Sequence, residues 1–246
     1  YIACQGNHDL GYIAAEYRYS MMPNYIYPER NSAFAKTLVS TGTNYEGIHT
    51  MENSAYEFHD EAWGDLLIIS FEFAPRDEAL DWARQLIESE RFFNHKVIIL
   101  THSFLATNGD RIVEEGYKLT PRNWAQAVWE KLIYPSKNIK MVLCGHTGNP
   151  PKIRKGEDVD YHMTTSCRVD KAADGHEVVQ MMFNSQNGDG SWNGNGGDCW
   201  LRILEFKPDG KTIGVRTFSP LFALSRHTQH LAWRTAEYDQ YAITIK

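Results

Sequence analysis

No apolar run in this 246-residue chain approaches the ~20 residues needed to cross a bilayer. The longest are short, strand-like stretches such as Leu66-Leu67-Ile68-Ile69, so no membrane span is expected. A Lys/Arg-rich block is also missing. With 25 basic against 31 acidic residues the net charge is -6, which argues against a nucleic-acid backbone or an anionic membrane as main partner. The four cysteines, Cys4, Cys144, Cys167 and Cys199, form no CxxC pair and read as structural. Cys4 and Cys144 sit in apolar runs, where cysteine behaves as a small buried hydrophobe; a Cys167 to Cys199 disulfide stays open. No internal repeat is present, and the one low-complexity stretch is the Asn/Gly/Asp-rich segment 187–198. The chain opens on Tyr1 inside a strand-like segment, so an upstream segment is expected, and the lack of a signal peptide leaves the compartment open, secreted or periplasmic included.

What is present suffices for a large core. Hydrophobic residues make up 42% and aromatic residues 13%, enough to fold one compact α/β domain over residues 1–246 without help from metal or disulfide. Leu10 to Met22 reads as an aromatic-rich helix broken by Pro23 and Pro28, with a second short helix near Ser32 to Val39 and a loop over 42–53. Strands are expected at Ser54 to His59 and Leu66 to Phe71. Pro75 opens the clearest helix, with Ala79, Trp82, Ala83, Leu86 and Ile87 on one stripe and Asp77 and Glu78 at its positive end. A further helix is expected from Thr120-Pro121, carrying Trp124, Val128 and Leu132. Beyond residue 160 come strand-like runs at Tyr161 to Cys167, Val178 to Phe183, Trp200 to Phe206 and Thr212 to Phe218, read as consecutive antiparallel strands, with Tyr241 to Ile245 as an edge strand.

Three of these apolar runs deliver polar residues at their C-terminal ends. Tyr1-Ile2-Ala3-Cys4 leads into Gly6-Asn7-His8-Asp9, Lys96 to Thr101 into His102, and Ile139 to Cys144 into Gly145-His146. Buried, non-alternating strands of this kind project such residues to one rim of the sheet. Polar and imidazole side chains gathered there read as a metal-site signature.

In this order and at these separations the three motifs resemble the calcineurin-like metallophosphoesterase superfamily. Asn195-Gly196-Gly197-Asp198-Cys199-Trp200-Leu201-Arg202 and Thr217-Phe218-Ser219-Pro220 resemble a bacterial branch of it. The resemblance spans roughly Tyr1 to Leu221. It implies a four-layer α/β/β/α sandwich, here without its first strands, and two divalent metal ions at the strand edges. It also implies hydrolysis of a phosphomonoester or phosphodiester by metal-activated water. Asn7, His102 and His146 would ligate the second metal through an amide oxygen and two imidazoles, donors that suit Mn, Fe or Zn. His8 would face the phosphoryl group and help protonate the leaving oxygen, and Asp9 would accept a hydrogen bond from the other ring nitrogen of His8.

The sequence departs from the family at defined places. The family's Asp-x-His and Gly-Asp-x-x-Asp precede Gly-Asn-His-Asp, where this chain has almost no residues. The histidine expected two residues after His146 is Gly148, so the first metal loses its expected ligands and the chain alone is expected to be weakly active or inactive. Asp160-x-His162 repeats the missing spacing, an unsurprising match with ten histidines in the chain. The departures motivate a second reading, a degenerate binding module without catalysis, with Trp192 stacking on a sugar. Asn187, Asp189, Asn193 and Asp198 follow no EF-hand spacing. The remaining histidines, His59 the least securely, read as surface or structural.

Overall fold

The computed structural model describes residues 1–33, 35–148, 162–186 and 197–245. A seven-stranded mixed sheet forms its centre, built from β1 (Leu38–Thr43), β2 (His49–Asp60), β3 (Gly64–Ser70), β4 (Lys96–Leu100), β5 (Ile139–Cys144), β6 (Thr165–Lys171) and β7 (Glu177–Phe183). The strand order is β1-β2-β3-β4-β5-β7-β6. β3, β4, β5 and β7 run parallel to one another, whereas β1 pairs β2, β2 pairs β3 and β6 pairs β7 antiparallel. A smaller sheet holds β8 (Leu201–Phe206), β9 (Thr212–Phe218), β10 (Trp233–Arg234) and β11 (Tyr241–Thr244), with β9 paired to all three others.

Alternation along the parallel strands explains why the large sheet is covered on both faces. Leu67, Ile69, Val97 and Ile99 pack with helix α1 (Asp77–Glu88) and with α2 (Ala125–Val128), which continues as a π-helical turn, Trp129–Ile133. Their neighbours Leu66, Ile68 and Ile98 turn the other way, onto Ile213, Val215 and Ile245 of the small-sheet side. Each fully buried Leu or Ile contributes about 1.5–3 kcal/mol, so both faces are strongly held. The expected apolar stripe of α1 is in place: Ala79, Ala83 and Ile87 are buried, and Trp82 and Leu86 pack beside them. No described helix is long and apolar enough to cross a membrane.

Several expected elements differ. Residues 10–22 form no helix but a compact loop closed by the Leu10–Ser20 bridge, because Glu16 takes up the amides of residues 12–14 that a helix would turn inward. Around Ser32 the chain makes turns, and β1 starts at Leu38 where a helix was expected to end. The stretch 42–53 is largely strand, since β1 reaches Thr43 and β2 begins at His49, with a turn at Asn44 whose side chain accepts from the amides of Glu46 and Ile48. α2 begins at Ala125, not at Thr120-Pro121; the Asn123 side chain instead ties that segment to the Pro75 carbonyl and Asp77. β6 starts at Thr165, later than expected, and Asp160, Tyr161 and 187–196, including Trp192, lie outside the described residues. All four cysteines are free thiols, so Cys167 and Cys199 are not joined.

Candidate functional site

Because β3, β4, β5 and β7 run parallel, their C-terminal ends share one edge, where open α/β sheets place ligand sites. His102 follows β4 by two residues and His146 follows β5 by two. The opening segment is drawn to the same edge. The Ser70 hydroxyl donates to the Ala3 carbonyl at 2.8 Å, and the amide of Phe73 donates to the Gln5 side chain at 3.1 Å. Gln5 Nε2 in turn donates to Glu52 at 2.7 Å, so the Gly6-Asn7-His8-Asp9 turn rests on the sheet rim.

The three residues the sequence brings forward as ligands meet there. His102 Nε2 donates to Asn7 Oδ1 at 3.0 Å, and the rings of His102 and His146 lie 4.8 Å apart. Gly6 permits this closeness, since a Cβ at residue 6 would lie 3.1 Å from Cε1 of His102. His146 adopts φ of +64°, a left-handed conformation that costs a non-glycine residue about 1–3 kcal/mol and occurs mostly at functional sites. Its carbonyl accepts from Asn184 Nδ2 at 2.9 Å, which helps hold that backbone. Under the rings sits Phe73, fully buried and edge-on to His102, His146, Tyr117 and Trp124. Burial, followed by the neighbouring His146 charge, pushes the His102 imidazole down to about 4, so the ring is neutral near pH 7 and fit to act as a donor.

His8 and Asp9 are placed at the same turn, but not as a pair. Asp9 folds back to accept from the Gly6 amide at 2.7 Å, whereas His8 Nδ1 meets the Ile13 carbonyl at 2.7 Å. A carbonyl only accepts, so Nδ1 carries the proton. The expected Asp9–His8 contact gives way because the tight turn satisfies Asp9 locally.

Two residues of the site carried no sequence signal of their own. Asn7 Nδ2 donates to the Tyr117 hydroxyl at 3.0 Å, which aims Oδ1 at His102. Glu115 receives the Ser103 hydroxyl on one oxygen, while its other oxygen, buried and without a hydrogen-bond partner, lies 3.3 Å from His146 Nε2. Both sit in the loop after β4, which topology alone assigns to this rim. That loop, with Thr147, borders a cleft of about 560 Å³ beside His146.

No family profile matches the chain. Over 220 residues, 87% of this chain, it is 24% identical to "Uncharacterized protein YvnB" of Bacillus subtilis (strain 168). The matched stretch makes up 14% of that relative.

Donor chemistry tests whether metal suits the site. Two ligands about 2.1 Å from one ion at right angles stand about 3 Å apart, the separation of Asn7 Oδ1 and His102 Nε2, so an ion would take the place of the ring proton that joins them here. Asn7 and His102 are thus spaced as two ligands of a single divalent ion would be, with the His146 ring 4.8 Å from that of His102. A second ion does not fit what is present: Gly148 has no side chain, and a Cβ there would lie 2.8 Å from Asn184 Nδ2. Among the described residues no three His, Cys, Asp or Glu side chains form a ready cage, so the neutral amide is an integral part of the donor set.

Proposed function

We propose that this chain is the greater part of a metal-dependent phosphoesterase catalytic domain of the calcineurin-like type, with the four-layer sandwich of that superfamily. The observation that carries the reading is the approach of Asn7 and His102, 95 residues apart, to 3.0 Å, with His146 beside them at the C-terminal edge of a parallel sheet. Asn7, His102 and His146 would hold one divalent ion, Mn, Fe or Zn. The ion would supply Lewis acidity toward phosphoryl oxygens and toward water. The chain's own residues do the rest. Tyr117 orients the Asn7 amide. Phe73 keeps the imidazole rings in register on a dry floor. His8, exposed at the rim with Nδ1–H on the Ile13 carbonyl, turns Nε2 outward; carrying a second proton there, as the imidazolium, it would give that proton to the leaving oxygen and return to the Nδ1–H form.

Ligands for a second ion are not found among the described residues, so the assay uses the full-length protein. Hydrolysis of an aryl phosphomonoester and a bis-aryl phosphodiester by that protein with Mn²⁺ tests the reading. Chelator-sensitive turnover, lost in His102→Ala and His146→Ala, is expected; no turnover with either ester refutes it. The packing of Asn184 into the place of the family's histidine favours the second reading, a binding module without catalysis. Metal content separates the two, since bound metal supports the enzyme and a metal-free protein with carbohydrate or protein affinity supports the binder.

A further inference from the structure

We propose that Glu16 is a positioning residue for His8, holding the Ile13 carbonyl against the imidazole so that the proton stays on Nδ1 and Nε2 is left free. Its role in turnover rests on the phosphoesterase reading; its effect on the ring does not. Residues 10–20 form a closed loop, with Leu10 bridged to Ser20, the Gly11 amide on the Tyr19 carbonyl at 3.0 Å and the Ala15 amide on the Leu10 carbonyl at 2.8 Å. Three successive amides of that loop, those of Tyr12, Ile13 and Ala14, point inward onto the Glu16 carboxylate at 3.1 Å each. With those amides fixed, the Ile13 carbonyl turns outward and meets His8 Nδ1 at 2.7 Å.

The carboxylate is built in rather than incidental. A Cβ on Gly11, whose φ is +72°, would lie 2.2 Å from Glu16 Oε2, so residue 11 is kept bare to admit it. Backbone amides, its own first, hold the Glu16 carboxyl below the usual range. The loop itself has few other ties at its tip, where Tyr12 and Ile13 are exposed, so Glu16 decides the conformation there. A free imidazole favours the proton on Nε2; a carbonyl at Nδ1 reverses that choice, so the proton that the ring takes up and gives away is the one on Nε2, the nitrogen turned to the leaving oxygen.

Two-bond ¹H–¹⁵N correlation spectra of ¹⁵N-histidine-labelled protein at alkaline pH read the tautomer directly, with His8 assigned by its loss in His8→Gln. In the unmodified protein His8 should carry its proton on Nδ1. Glu16→Ala should move it to predominantly Nε2–H, Glu16→Gln, which keeps one acceptor oxygen, to a mixture, and Gly11→Ala, which displaces the carboxylate without removing it, should match Glu16→Ala. Circular dichroism and the other histidine signals show whether the fold survives. An Nε2–H tautomer in the unmodified protein, or an unchanged Nδ1–H tautomer in Glu16→Ala, overturns the proposal. Where the protein shows chelator-sensitive turnover, Glu16→Ala should lower kcat about tenfold with KM changed less than about twofold. Unchanged kcat alongside a shifted tautomer would remove Glu16 from the reaction. An absence of turnover in the unmodified protein refutes the phosphoesterase reading and leaves the tautomer test standing.

Discussion

The amide of Asn7 donates to the phenol oxygen of Tyr117 at 3.0 Å, across 110 residues of chain. An asparagine presents an oxygen and a nitrogen of nearly the same shape, and this bond decides which one faces His102. The same hydroxyl lies 3.5 Å from His146 Nε2, so one group touches two of the three donors.

Tyr117→Phe removes that control while keeping the ring against Phe73. Metal affinity should fall about 10- to 100-fold, the usual cost of losing a partner that orients a ligand. Melting temperature should hardly move. Titration calorimetry with Mn²⁺ checks the first, and thermal unfolding in chelator checks the second; an unaltered affinity would mean the amide is held by other contacts.

Much of this site was legible in the sequence and some was not, for reasons that lie in particular residues. His102 and His146 announce themselves because the runs before them are apolar on successive residues, which marks strands buried on both faces, and both strands end at one rim. Tyr117 and Glu115 lie in an aperiodic loop whose polar residues look alike until the fold is known. The segment 10–22 misleads because its residues are acceptable in a helix, and only the reach of the Glu16 carboxylate to three amides shows why the chain closes into a loop. Similarly, residues 42–53 lack the apolar alternation of a half-exposed strand because buried polar residues, Asn53 on Glu72 at 3.1 Å, satisfy one another inside the sheet.

Placing the metallophosphoesterase pattern's histidine at residue 148 should fail. In Gly148→His the new Cβ would lie 2.8 Å from Asn184 Nδ2, and Asn184 is needed on the His146 carbonyl. A stability loss of about 1–3 kcal/mol is expected from overpacking, with no second equivalent of metal bound. The double variant with Asn184→Gly should recover part of that stability. Urea unfolding and elemental analysis measure the two outcomes, and binding of a second ion by the single variant would show that Asn184 yields more easily than its contacts suggest.

Stability in chelator should fall with acid through His102. Its pKa drops from 6.5 toward about 4 on folding, so between those values the unfolded chain binds a proton that the folded chain refuses. The contribution is intact above pH 6.5, declines as pH falls, and reaches its limit below about 4. At 1.36 kcal/mol per unit the ceiling is about 3 kcal/mol. His102→Asn, which does not titrate, should flatten that part of the curve. Urea midpoints of both proteins across this range decide it: parallel curves would assign the acid sensitivity elsewhere.

Arg18 is the buried staple that joins the first loop to the floor of the site. Its guanidinium donates to the carbonyls of Phe73 at 2.9 Å, Ala74 at 2.5 Å and Pro121 at 3.0 Å, and stands 3.6 Å from Glu72, with both side chains almost wholly enclosed. Burial draws its pKa down to about 10, with the Glu72 charge opposing that shift, so it remains a cation at neutral pH. Arg18→Ala should cost roughly 1–3 kcal/mol for each buried carbonyl left without a donor, while Glu72 keeps Arg76 at 2.8 Å. Arg18→Lys should recover little, because an ammonium cannot serve three carbonyls lying in the plane of a fork. Phe73 lies between Arg18 and the histidines, so the same variants should weaken Mn²⁺ binding even where the protein stays folded. Denaturant unfolding alongside metal titration would test both parts. A stability loss with unchanged metal affinity would show that the floor holds its shape without the staple.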